Sequence, residues 1–130
     1  MEIILKKKPK NPIIIEGFPG FGLVGTIATE FLIDHLKTEQ IGKIMFDESA
    51  PIAAIHGGEV IDPLGIFYNN KYNLVILHAI NPANGIEWKV TDALDKIAKQ
   101  LNAKEIISLE GVGGAESELT QSRVFYLFVY

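Results

Sequence analysis

Residues 13–36 read IIIEGFPGFGLVGTIATEFLIDHL, and this stretch decides the predicted fold. An apolar run ends in a glycine-rich loop, and an amphipathic segment follows, which together predict a strand, a tight turn and a helix. The loop carries Gly20, Gly22 and Gly25 in the G-x-G-x-x-G spacing of a dinucleotide-binding turn. The sequence therefore raises the question of whether this turn binds a nucleotide.

Apolar runs on either side of this stretch predict the remaining strands. Two opening strands are predicted at EIILKK and PIIIEG, a third at IGKIMF, and a final buried strand at AKEIISL. Two hairpins lie between them, at IAAIHGGEVI and at LGIFYNNKYNLVILHAI. The second arm of the latter hairpin is apolar nearly throughout, which is typical of a strand covered on both faces.

The first helix is predicted from Gly22 to Lys37, with one buried face. The side chains expected in the core recur at helical spacing: Leu23, Val24, Ile27, Ala28, Phe31, Leu32 and Leu36. The side chains expected in water are Thr29, Glu30, Asp34 and Lys37.

The segment NPANGIEWKVTDALDKIAKQL predicts the second helix. Asn84 and Glu87 have the spacing of a capping box at its start. One apolar stripe is expected to face the core: Ile86, Val90, Leu94, Ile97 and Leu101. Trp88 lies opposite this stripe, so either a loop of the same chain or a subunit contact is expected to cover it.

These elements predict an α/β fold. Crossovers through the helices supply parallel strand pairs and the hairpins supply antiparallel pairs, so the sheet is expected to be mixed. With 130 residues and 48% hydrophobic composition, the chain is predicted to form a single layered α/β domain over residues 1–130, with buried strands at its centre.

Composition removes several classes of function. The net charge is −4 and the only basic cluster is the short run at residues 6–10, so no nucleic-acid partner is expected. The chain has no cysteine, and no apolar run approaches the roughly 18 residues of a membrane span. His35, His56 and His78 lack metal-ligand spacing. We therefore predict a cytoplasmic protein without a membrane, metal or cofactor partner.

The glycine turn has features for and against nucleotide binding. The three glycines suit a tight turn beneath a pyrophosphate, and Asp47, after the next strand, is placed to hold a ribose hydroxyl. Against this, Pro19 removes a backbone donor, Glu16 brings negative charge, and Phe18 and Phe21 add bulk. The alternative interpretation is that the glycines let the helix start sharply and pack closely on the sheet.

Other polar residues predict a second possible site. His78 and Asn81 end one strand and Glu110 ends another, and parallel strands would bring them to the same edge of the sheet. No serine lies in a nucleophile-elbow motif and no paired carboxylates have evident roles, so no catalytic residue is assigned. The alternative interpretation, that these three residues are polar strand ends that face water, stays open.

The glycine turn also carries a family resemblance. GFPGFGLVGTIATEFLIDHL at residues 17–36, together with the opening strands, Asn81-Pro82 and LEGVGG at 109–114, resembles the proteasome assembly chaperone family over nearly the whole chain. The resemblance implies a three-layer α/β domain of the nucleoside-phosphorylase-like kind, with a largely central sheet flanked by helices. Family members usually continue beyond the region matched here, so a short natural form, a fragment and an altered carboxyl end stay open as interpretations. The resemblance further implies homo-oligomers that bind proteasome α-subunits and help them assemble, without catalysis.

The predicted contact surfaces combine this resemblance with exposed aromatic residues. They are Phe18, Pro19, Phe21, Trp88 and the terminal run VFYLFVY, which ends at Tyr130. Archaeal chaperones that dock on the α-ring carry a tail of a hydrophobic residue, tyrosine and any residue. Here tyrosine stands last, so this ending departs from the docking pattern. The alternative function is a small-molecule or nucleotide-binding α/β enzyme that uses the turn from Gly20 to Gly25.

Overall fold

The computed structural model describes residues 1–48, 52, 54–114 and 123–128. In this part of the chain it contains eight strands and two α-helices. The strands are β1 (Glu2–Leu5), β2 (Ile13–Gly17), β3 (Glu39–Met45), β4 (Ala54–His56), β5 (Glu59–Ile61), β6 (Leu64–Asn69), β7 (Leu74–Ala79) and β8 (Glu105–Ser108). The helices are α1 (Val24–His35), preceded by a 3-10 turn at Phe21–Leu23, and α2 (Glu87–Leu101).

Six of these strands form one mixed sheet in the order β1-β3-β6-β7-β2-β8. Strand β2 runs parallel to β7 and β8, whereas the β1–β3, β3–β6 and β6–β7 pairs are antiparallel. Strands β4 and β5 form a separate hairpin, whose Gly57 and Gly58 adopt positive φ. The mixed sheet and both hairpins confirm the predicted α/β class.

Helix α2 covers the main hydrophobic core. Val90, Ile97 and Leu101 of the predicted stripe are buried, together with Ala93. The other two predicted residues, Ile86 and Leu94, are partly buried against this core. The buried residues of α2 pack with alternate residues of the sheet, because successive side chains of a strand point to opposite faces. The sheet residues of this core include Ile14, Ile44, Ile66, Val75 and Leu77, and β7 is buried throughout its last five residues.

Helix α1 packs against β2 and β7 with a different side from the one predicted. Its buried residues are Gly25 and Thr29, of which Thr29 was expected in water. The predicted core residues Ala28, Leu32 and Leu36 are only half-buried. The large apolar side chains of Val24, Ile27 and Phe31 are exposed instead. The prediction that these residues face the core is wrong because the helix approaches the sheet so closely that only small residues fit between them.

The predicted capping box at the start of α2 is also wrong. The helix begins at Glu87, and the N-cap residue is Ile86, which makes no side-chain cap. Asn84 therefore lies two residues too early. The Glu87 carboxylate does reach back, but Oε1 accepts a hydrogen bond from the backbone N–H of Gly85 at 3.0 Å. The left-handed φ of Gly85 bends the chain so that this residue presents its N–H to the carboxylate.

Strand β8 differs from the buried strand predicted. It lies at the edge of the sheet, beside β2, and all four of its residues are exposed. Ile106 and Ile107 point to opposite faces, and each keeps more than a third of its surface in solvent. The composition of the strand suggested burial, but burial depends on its position in the sheet, which composition does not encode.

Candidate functional site at the glycine turn

The three glycines of the turn have three different environments. Gly22 adopts φ 66°, a conformation that favours glycine, and the following Leu23 is also left-handed. Gly25 lies so close to the strand that a Cβ atom there would overlap the carbonyl oxygen of Leu109 and crowd Gly17. Gly20 is extended and exposed. The turn therefore uses one glycine for backbone conformation and one for close packing.

A carboxylate occupies the space beside Gly20. A Cβ atom built at this glycine would lie 3.0 Å from Oε2 of Glu110. In a dinucleotide-binding turn the corresponding region receives the pyrophosphate, which prefers backbone N–H groups and positive potential. The Glu110 side chain places negative charge there instead.

A second carboxyl group, that of Glu16, is buried at the end of β2. Its side chain is 7% exposed, and Oε2 has no hydrogen-bond partner among the described residues. Burial raises the pKa of Glu16 above its ordinary value, the Ser108 hydroxyl lowers it by hydrogen bonding, and the charge of Glu110 raises it further. An incoming phosphate would meet this group as well as Glu110.

The structure does not bring Asp47 to the glycine turn. Strand β3 ends at the same edge of the sheet as β2, but β6 and β7 lie between them. Three inter-strand steps of about 4.8 Å separate the two strands by roughly 14 Å. The Asp47 carboxylate is almost fully exposed and lies 3.7 Å from the N-terminal amine of Met1.

His78, Asn81 and Glu110 are separated as well, although β7 and β8 run parallel to β2 as the prediction required. The His78 ring is buried on the α1 side of the sheet, where Nδ1 lies 2.8 Å from the Thr29 hydroxyl. Asn81 lines a different cleft beside the start of α2. Glu110 lies against the glycine turn. These three residues form no common site.

Two clefts flank the sheet. One is mostly apolar, measures about 250 Å³, and lies at the carboxyl ends of β2, β3 and β7. The other measures about 290 Å³ and lies between α1 and the β4–β5 hairpin, where Glu30, Asp34 and Glu59 share its wall with His78. Among the described residues, no group of three or more His, Cys, Asp or Glu side chains has a geometry that could hold a metal ion.

The residues predicted for protein contact differ in exposure. Phe21 and Trp88 are 67% and 86% exposed, whereas Phe18 packs partly against the core and Pro19 is half-buried. Tyr130 lies outside the described residues. Within the described C-terminal segment, residues 123–128 form no strand and are exposed.

Sequence reasoning missed a larger exposed surface on α1. Exposed apolar residues follow one another at helical spacing: Phe21 in the 3-10 turn before α1, then Val24, Ile27 and Phe31 along the helix. These four residues are hereafter the α1 surface, and the last two are 58% and 63% exposed. The small residues Gly25 and Thr29, four positions apart, were the available signal. A helix that turns small residues toward a sheet must direct its large ones elsewhere.

In the described ranges, neither helix has the length and apolar character needed to cross a lipid bilayer.

Comparison with solved structures supports the fold. PbaA of Pyrococcus furiosus, an archaeal homolog of proteasome-assembly chaperone, superposes with a TM-score of 0.75 and 32% identity over 87% of this chain and 48% of PbaA. PbaB of the same organism, an archaeal proteasome activator, gives a TM-score of 0.65 over 82% of this chain and 49% of PbaB. Its 23% identity establishes likeness of fold alone.

Sequence comparison identifies the family. An uncharacterized protein of Methanocaldococcus jannaschii is 31% identical over 109 residues, which cover 84% of this chain and 45% of that protein. The chain thus spans about half the length of the relatives it matches. The model of the PAC2 family matches residues 14–128. The resemblance seen in the sequence is confirmed, and this chain belongs to the PAC2 family.

Proposed function

We propose that this chain is a non-catalytic, proteasome assembly chaperone-like protein that binds proteasome α-subunits through the α1 surface. The observation that carries this proposal is the exposure of Phe21 in the turn before α1 and of Val24, Ile27 and Phe31 along the helix. Contiguous apolar patches of this kind mark contact sites for other proteins. The likeness to PbaA, a homolog of proteasome-assembly chaperone, supplies the class of partner.

The mechanism requires binding energy alone. A homo-oligomer would present several copies of the α1 surface at spacings set by its symmetry. α-Subunits held on these copies would meet at a raised effective concentration and in orientations that favour ring closure. We propose that this process takes place in the cytoplasm.

We further propose that residues 1–130 form a single domain with three layers, akin to the nucleoside-phosphorylase-like folds. Two observations support the layering. Thr29 of α1 meets His78, whereas α2 packs on the neighbouring Leu77, and adjacent residues of a strand point to opposite faces.

The contact residues proposed from the sequence retain distinct roles. Phe21 is part of the α1 surface, and Trp88 is the centre of a second surface on α2. Phe18 and Pro19 support the base of the turn that presents Phe21. Tyr130 is proposed to extend the contact made by the terminal apolar run.

The alternative, nucleotide binding at Gly20, Gly22 and Gly25, has less support from the geometry. The Glu110 carboxylate beside Gly20 repels phosphate, and Asp47 lies roughly 14 Å from β2 at the usual strand spacing. We therefore propose no cofactor for the turn. A rise in melting temperature on addition of NAD or ATP, lost in Gly22→Val, would contradict this assignment.

The proposal is tested by mixing the purified protein with purified proteasome α-subunits from its own source and following complex formation by native mass spectrometry. We expect complexes with the unaltered protein and loss of these complexes in the double variant Ile27→Asp, Phe31→Asp. Both residues are exposed, so the fold should persist. The control is Gln100→Asp, at an exposed position near the C-terminal end of α2, which packs on the other face of the sheet from α1.

Two results would overturn the proposal. One is the absence of any complex between the unaltered protein and α-subunits. The other is binding that the Ile27→Asp, Phe31→Asp variant retains at full strength, since the α1 surface would then not be the contact.

A further inference from the structure

The apolar cleft of about 250 Å³ lies at the carboxyl ends of two neighbouring parallel strands whose following helices pack on opposite faces of the sheet. Strand β2 leads to α1 through Phe18, and its neighbour β7 leads through Asn81 to α2. In open α/β sheets, the crevice at such a point is where ligands commonly bind. This cleft is smaller than the roughly 300–1,000 Å³ typical of cofactor and drug-sized sites. Its size therefore favours a single large side chain.

The lining of the cleft favours an aromatic or aliphatic occupant. Phe18, Phe46, Leu64, Ile86 and Val90 contribute apolar surface. The charged groups on its wall are already satisfied, because Nζ of Lys43 donates to Oδ1 of Asp62 at 3.0 Å and Gln40 donates to Oδ2 at 2.9 Å. The surface of the cleft that remains available for a contact is thus mostly apolar.

Trp88 is an unburied side chain of matching chemistry close to the cleft. It lies in the first turn of α2, two residues from both Ile86 and Val90, and is 86% exposed. Each residue turns a helix by about 100°, so Trp88 points away from the side that lines its own cleft. Helical side chains also lean toward the helix N-terminus, which directs Trp88 toward the edge of the sheet where the cleft lies.

The charges around Trp88 allow two copies to approach. On the exposed side of α2, Lys96 pairs with Asp92 at 2.6 Å, and Lys89 pairs with Glu48. Cations and anions are therefore interspersed, and two such faces meet without the repulsion that a single-sign patch would cause.

We infer that two copies of this chain associate through the start of α2, with Trp88 of each copy inserted into the apolar cleft of the other. A two-fold axis makes this exchange reciprocal, because each copy then offers one tryptophan and one cleft to the other. The inference deepens the proposed function, since it rests on the homo-oligomer proposed there and assigns its contact. It leaves the α1 surface free for α-subunits.

Trp88 is the only tryptophan of the chain, so its fluorescence reports the contact directly. Emission is recorded over a dilution series, and molar mass is measured on the same samples by light scattering. We expect a two-chain mass with blue-shifted emission at high concentration. On dilution, both signals should change to those of a single chain with an exposed tryptophan, with one midpoint.

Two variants test the two halves of the contact. Trp88→Ala should weaken dimerisation by about 30-fold or more, because a central tryptophan is typical of an interface hot spot. Ala83→Phe fills the cleft from its wall and keeps Trp88, so its emission should stay that of an exposed indole at all concentrations. The control Tyr72→Ala removes an exposed aromatic residue just before the start of β7, at the opposite end of that strand from α2, and should dimerise normally. Circular dichroism establishes that each variant is folded, and Trp88→Ala remains a valid test if Ala83→Phe is not.

Three results would overturn the inference. The first is a single-chain mass with exposed-tryptophan emission at every concentration. The second is self-association that Trp88→Ala leaves unchanged. The third is a blue shift that occurs only when α-subunits are added, because the occupant of the cleft would then belong to that partner. Dimerisation through Trp88 without α-subunit binding would instead support this inference and contradict the proposed function.

Discussion

The two helices of this protein pack on the sheet with opposite kinds of residue, large apolar ones in α2 and small ones in α1. Helix α2 turns its large apolar residues to the sheet and its charged residues to solvent, with ion pairs such as Lys99 to Asp95 on the exposed side. Helix α1 turns Gly25 and Thr29 to the sheet and leaves Ile27 and Phe31 exposed. The first arrangement buries apolar surface in the core, whereas the second leaves apolar surface exposed.

The cause of this difference lies in the strand that each helix meets. Gly17 of β2 has no side chain, and a Cβ atom there would overlap the carbonyl oxygen of Gly25. Helix α1 therefore rests almost backbone to backbone on the sheet, where a large residue would not fit. Helix α2 faces Ile14, Ile66 and Leu77, whose side chains fill a wider gap. Large apolar residues are thus buried in one helix and exposed in the other.

The largest expected effect comes from the same truncation made in both helices. Ile97→Ala in α2 removes a fully buried side chain and should lower the free energy of unfolding by about 2–5 kcal/mol. Ile27→Ala in α1 removes an exposed side chain and should change it by less than about 0.5 kcal/mol. Urea denaturation of both variants measures the difference. Equal losses would mean that the α1 surface is buried within the same chain.

A methyl group tests the close approach of α1. Gly25→Ala should lower the free energy of unfolding by about 1–3 kcal/mol, because the new Cβ overlaps the backbone at Leu109. Gly114→Ala is the matched control, since a Cβ atom there has nothing within 4 Å and should cost little. Thermal unfolding compares the two. A neutral Gly25→Ala variant would show that the helix rests farther from the strand than described.

Replacing one threonine in each helix by valine compares the polar contacts of the two helices. The Thr29 hydroxyl in α1 is buried and lies 2.9 Å from the Gly25 carbonyl oxygen and 2.8 Å from Nδ1 of His78. Thr29→Val should cost about 1–2 kcal/mol, because it deprives buried groups of a partner. Thr91 in α2 donates to the Glu87 carbonyl oxygen at 3.0 Å in an exposed position, where Thr91→Val should be nearly neutral. Equilibrium unfolding of both variants at pH 7 distinguishes them, and equal costs would contradict the assigned burial.

The smallest expected effect is a pH dependence of stability that comes from Glu16, on the sheet face that α2 covers. Glu16 follows Ile14 by two residues and so shares that face, and burial raises its pKa above the ordinary value of 4.5. The folded state therefore binds the proton more tightly than the unfolded state. The stability from this group is fully present below the ordinary pKa and is lost as pH rises through the raised value.

Glu16→Gln removes this titration, so its stability relative to the unaltered protein should increase between pH 4 and pH 7. Denaturation at both pH values, with Glu30→Gln on the half-buried side of α1 as a control, measures the change. Parallel stability curves for Glu16→Gln and the unaltered protein would contradict the raised pKa.

Much of the site was within reach of the sequence, but its arrangement was not. The glycine turn and most of the buried stripe of α2 follow from local spacing, and the structure bears them out. The separation of Asp47 from the turn depends on strand order, since β6 and β7 insert between β3 and β2. Asp47 and the glycine turn, which together match a nucleotide-binding pattern in the sequence, are therefore distant in space.

The sequence alone determined the type and order of the elements, the mixed sheet, the family and the inward stripe of α2. Each depends on residue spacing within one segment, and spacing is a local property. Only the tertiary structure decided which side of α1 is buried, that β8 is an exposed edge, and that Glu110 lies beside Gly20. These features depend on what the opposing segment presents, such as the missing side chain of Gly17, and no single segment encodes its neighbour.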